Sequence, residues 1–63
     1  MNMTNNETLL ATLDRKAARE YPIGSVHSMV RVDDPSDAIA YRIRITRHAP
    51  AKYGRIEVYA ERI

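Results

Sequence analysis

Between Tyr41 and Tyr59 the chain reads YRIRITRHAPAKYGRIEVY, with basic side chains at Arg42, Arg44, Arg47, Lys52 and Arg55. Arginine in such a pattern does two kinds of chemistry: it grips carboxylate or phosphate in a planar fork, and it lies over aromatic rings. Tyr53 and Tyr59 supply rings, and His48 adds an imidazole. Arg42, Arg44, Arg47, His48, Lys52, Tyr53, Arg55 and Tyr59 are therefore the candidate partner-binding residues.

Little else in the chain competes with them. There is no cysteine, and the two histidines, His27 and His48, fall on different elements, so neither a metal ligand set nor a cofactor motif is expected. Asp33-Asp34-Pro35-Ser36-Asp37 is too short for a calcium loop, which spreads its ligands over about twelve residues. No nucleophile stands at a defined spacing from a base, and a water-excluding cleft is hard to build at this size. The expectation is a protein without catalytic residues.

Sixty-three residues form one small domain, spanning positions 1–63. Burial in so short a chain does little more than offset the ordering cost, roughly 1.5 kcal/mol per residue. With no disulfide available, association with a second chain is one route to stability. Charge is distributed unevenly. Residues 1–40 carry four Lys or Arg against six acids, a balance of −2, and residues 41–63 carry six against two, a balance of +4. That polarity suits an anionic partner, either an acidic protein surface or nucleic acid. No apolar run reaches the roughly 20 residues of a membrane span, and MNMTNNET lacks the basic and apolar regions of a signal peptide. A soluble, cytoplasmic protein without membrane contact is expected.

The elements that must position these residues follow from periodicity. Thr4-Asn5-Asn6-Glu7 fits a capping box, and Leu9, Leu10, Leu13, Ala17 and Tyr21 recur at helical spacing up to Tyr21-Pro22. This predicts a helix over about 5–20. Beyond Gly24 the period changes to two, predicting strands over about 25–32, 38–47 and 55–62, with the acidic segment as the first turn and Ala49 to Gly54 as the second connection. Keeping apolar residues on a common face sets Val30 opposite Tyr41, Val32 opposite Ile39, Ile45 opposite Ile56 and Ile43 opposite Val58. Val26, Ser28, Val30 and Val32 then share the apolar face. Arg44 meets Glu57 and Arg42 meets Tyr59 on the open one. The expected fold is α+β: one N-terminal helix packed on a three-stranded antiparallel meander (αβββ).

In size and plan such a chain resembles the small accessory proteins of bacteriophages, which bind and block a host macromolecule. The resemblance implies a non-enzymatic binding module that inhibits a host protein or nucleoprotein complex, such as a defence or transcription complex, by steric block. Two further readings use the same residues differently. One is a small basic nucleic-acid-binding protein working through the open sheet face and the 47–53 loop. The other is a homodimer joined through an edge strand, with a structural or regulatory role.

Overall fold

The computed structural model of the chain describes residues 7–32 and 38–63. Along them run β1 (Thr8–Leu13), a four-residue helix α1 (Arg15–Ala18), β2 (Val26–Val32), β3 (Ala38–Pro50), a 3₁₀ turn (Lys52–Gly54) and β4 (Ile56–Arg62). The strands form one antiparallel sheet in the order β1-β4-β3-β2. Among the described residues, no helix is long and apolar enough to cross a membrane.

This architecture overturns the expected helix over residues 5–20 on a three-stranded meander. Residues 8–13 are a strand, and helix is confined to Arg15–Ala18. Over so short a span a leucine-rich segment fits either period, and Thr8 and Thr12 are β-branched residues that favour the extended form. What decides the matter is tertiary: β4 offers an edge, and as a strand the segment sets Ala11 beside Val58 and Leu13 beside Ile56. Leu10 sits in a bulge between Leu9 and Ala11 and packs on the core. Helix begins only where a cap exists, with Asp14 Oδ1 accepting from the Ala17 N–H at 2.7 Å. Of the expected capping box, Thr4, Asn5 and Asn6 lie outside the described residues, as does the acidic turn Asp33–Asp37. Glu7 bonds to Thr46 and Arg47 on β3.

Both hairpin registers also differ from expectation. Met29 faces Tyr41, Val30 faces Ala40 and Val32 faces Ala38, a slip of one residue. Such a slip inverts a strand. His27 and Met29 lie on the covered face, whereas Val26, Ser28 and Val30 lie on the open one, with Val26 44% and Val30 63% exposed. The cause lies in the turn before β2. Gly24 adopts φ 91°, a left-handed value that glycine tolerates, and its N–H donates to the Ile45 carbonyl at 2.7 Å. Ile45 N–H donates in turn to the Ser25 carbonyl at 2.9 Å, and the Tyr21 ring packs on His27 with centroids 4.8 Å apart. Aromatic packing on His27 prevails over the valine pattern.

Along β3 and β4, Ile45 faces Ala60 and Ile43 faces Arg62, so neither Ile56 nor Val58 is their partner. β3 continues through His48 and Ala49 to Pro50, which pairs with Ile56. The Ala51 N–H donates to the Arg55 carbonyl at 2.9 Å, so residue 51 bonds toward β4 and residue 50 points away from it. Pro50 therefore removes no ladder bond, which is why the strand tolerates it.

The covered face holds the core. Ile45 is 1% and Val58 0% exposed, with Ile43, Ala60 and Ala18 of α1 buried beside them. Leu10, Leu13, Tyr21, Met29, Tyr41 and Ile56 form a half-buried rim.

Candidate partner-binding surface

The eight residues singled out by composition occupy three places. Arg42, Arg44, Arg47 and Tyr59 lie on the open sheet face, and Lys52, Tyr53 and Arg55 lie at the tip of the β3–β4 hairpin. His48 lies on the covered face, opposite buried Val58. Its Nε2–H donates to the Tyr21 carbonyl at 2.8 Å, since a carbonyl oxygen can only accept. His48 thus tethers the turn after α1 to β3.

On the open face two of the three arginines, Arg44 and Arg47, are answered by acids. β3 bulges between Ile45 and Arg47, and the extra residue lets Thr46 and Arg47 reach the same carboxylate. Thr46 Oγ1 donates to Glu7 Oε2 at 2.6 Å, and Arg47 Nε donates to Glu7 Oε1 at 2.9 Å. The Arg47 guanidinium carbon also stands 3.8 Å above the Tyr59 ring, and Tyr59 OH donates to Glu57 Oε1 at 2.9 Å. Arg44 and Glu61 approach to 3.5 Å. The expected pairs, Arg44 with Glu57 and Arg42 with Tyr59, are therefore replaced by Arg44 with Glu61 and Arg47 with Tyr59, as the observed register dictates. The bond from Thr46, then that from Arg47, holds the Glu7 carboxyl below its ordinary titration range. The bond to Glu57, reinforced by desolvation, raises the Tyr59 phenol.

The hairpin tip has the opposite character. Tyr53 adopts φ 61° and ψ 32°, Gly54 follows at φ 71°, and the tyrosine is 94% exposed. A bulky L-residue in this left-handed region costs about 1–2 kcal/mol relative to the ordinary conformation. The conformation is held by the turn itself, through the bond from Ala51 and one from Arg55 N–H to the Lys52 carbonyl at 3.2 Å. Among the described residues, the side chains of Lys52, Tyr53 and Arg55 have no hydrogen-bonding or ion-pair partner. An aromatic ring and two cations project together.

Composition does not single out Glu7 or Thr46, although both organise the open face. A bulge in a run of β-formers leaves no residue-type mark, and Glu7 reads most simply as a helix cap. At the other end of the covered face a shallow concavity of about 480 Å³ opens between Leu10, Tyr41 and Ile43. There the Arg62 guanidinium carbon lies 4.6 Å from the Tyr41 ring centre. No group of three metal-ligating side chains occurs among the described residues. Comparisons with protein-family models, curated proteins and solved structures find no match for this chain, and the functional reading rests on its geometry.

Proposed function

We propose that the chain is a non-enzymatic binding protein that docks on a partner protein through the β3–β4 hairpin tip. Tyr53 is its anchor, Lys52 and Arg55 select an acidic rim around the pocket that takes the ring, and the body of the domain blocks the covered surface sterically. The observation that carries this reading is Tyr53 itself: a tyrosine 94% exposed and held in a left-handed backbone conformation that glycine would occupy more cheaply. Tyrosine and arginine are the types that concentrate binding energy at interface centres, and a hairpin on a sheet presents them from a backbone that is already ordered. Phosphate binding by the open face is less favoured, because Arg44 and Arg47 already engage Glu61 and Glu7.

A photo-crosslinking phenylalanine analogue placed at position 53, and in parallel at position 42, tests the reading in lysate of the cells that make the protein. The expected result is a protein adduct from position 53 only, competed by the native chain and not by Tyr53→Ala. Adducts from position 42 alone would defeat it. So would a nuclease-sensitive complex that weakens about tenfold or more between about 50 and about 200 mM salt, the response of phosphate contacts.

A further inference from the structure

The two outer strands of the sheet are unlike. β1 carries a bulge between Leu9 and Ala11, a common device for spoiling an edge, whereas β2 runs in unbroken register from Val26 to Val32. The strand expected over 55–62 is not an edge at all, because β1 pairs with it. Among the described residues nothing pairs with the outer side of β2.

The backbone groups that β2 turns outward can be identified. Ile45 N–H bonds to the Ser25 carbonyl, and Ser25 and Ile45 continue the β2–β3 register, so residues 25, 27, 29 and 31 bond to β3. Val26, Ser28 and Val30 therefore point their N–H and C=O groups away from the sheet. Their side chains lie on the open face, which leaves two exposed valines at the rim, and no charge interrupts the series. Val32 follows with the same alternation, so the outward backbone positions run Val-Ser-Val-Val, and the first three read alike in either direction about Ser28. A two-fold axis through Ser28 therefore sets Val26 and Val30 of one chain against Val30 and Val26 of the copy.

We infer that β2 pairs antiparallel with β2 of a second copy of this chain, centred on Ser28, to form a continuous eight-stranded sheet. This proposal is independent of the hairpin-tip reading. Three hydrogen-bonded pairs form: Val26 with Val30 of the copy, Ser28 with Ser28, and Val30 with Val26. The four valines make an apolar strip across the seam, and on the covered face His27 comes beside Met29 of the copy. Charge does not oppose the contact. Arg42 stands opposite Ser28 on β3, so it and its symmetry mate are three strand spacings apart, about 14 Å. That exceeds the screening length of about 8 Å at physiological salt. Because β2 and its copy are antiparallel, the two hairpin tips point to opposite ends of the assembly.

Sedimentation velocity over a concentration series to about 1 mM, with amide hydrogen exchange at its two ends, tests the proposal. The expected result is a monomer–dimer equilibrium in which the Val26, Ser28 and Val30 amides slow by about tenfold or more as the dimer forms. Val30→Lys, at an exposed position where a lysine guards the edge, is expected to give a monomer with an unchanged circular dichroism spectrum. A chain monomeric throughout overturns the inference. So does a dimer that survives Val30→Lys, or one in which those three amides exchange as fast as in the dilute monomer.

Discussion

The open sheet face and the hairpin tip carry the same residue types within a few positions of each other, yet their charges meet opposite fates. On the face, Arg44 and Arg47 lie against Glu61 and Glu7, and Arg47 also covers the Tyr59 ring. At the tip, Lys52 and Arg55 flank a tyrosine that is 94% exposed. Two of the arginines in residues 41–63 are thus answered by acids where the strands lie side by side, whereas both cations stand open where the chain turns. Register assigns these roles, because it brings Glu61 to Arg44 and Tyr59 to Arg47. What the difference teaches is that a basic composition predicts an anionic partner only through the residues that register leaves without one.

The largest effect separating the two regions concerns the partner. Tyr53→Ala is expected to weaken the complex about 30-fold or more, the loss typical of a central aromatic anchor, and Arg42→Ala by no more than about threefold. Titration calorimetry on the captured partner measures both. Equal losses would erase the distinction between face and tip.

Acid provides the next test, this time of the face. The Glu7 carboxyl is held low by Thr46 and Arg47, so its contribution to stability is fully present above the ordinary glutamate range. It is lost as pH falls through the depressed folded-state value. The melting temperature should fall across that window, and the amides of Thr8 and Leu9 should lose protection there. Glu7→Gln removes the titration, and its melting temperature should lack this step. At the tip, Tyr53→Gly should raise stability by about 0.5–1 kcal/mol, because relief of about 1–2 kcal/mol of left-handed strain outweighs the added entropy of the unfolded chain. Urea unfolding reads the gain. A variant that is more stable yet binds less well would sharpen the view that the tip is built for display.

Much of the sheet was open to sequence reading and some of it was not, for identifiable reasons. Alternation over 38–47 and 55–62 announces extended chain, and β3 and β4 occupy those segments. The inversion of β2 was hidden, because its open-face residues Val26, Ser28 and Val30 look like the apolar half of the strand. The decisive contacts are the Tyr21 ring on His27, across a turn, and the Gly24 bond to Ile45, which is 21 residues away. The same holds for β1: local spacing fits a helix, and only the presence of β4 makes a strand the better burial. At the candidate surface, residue types identified Lys52, Tyr53 and Arg55. Nothing local marked His48 as the tether to Tyr21, or Glu7 as the counterion of Arg47.

The smallest expected effect bears on how rigid the open face is. Arg44 and Glu61 meet at 3.5 Å with side chains 49% and 35% exposed, so solvent screens the pair and side-chain entropy opposes it. A double-mutant cycle with Arg44→Ala and Glu61→Ala is therefore expected to return a coupling of about 0.2–0.5 kcal/mol, falling further at high salt. A coupling well above about 1 kcal/mol would mean that the pair is held more firmly than its exposure implies. The face would then be a preorganised charge array like those that recognise a ligand, and the contrast with the tip would narrow. A coupling near zero leaves Arg44 paired only loosely, and the burden of recognition stays with Tyr53 and the two cations beside it.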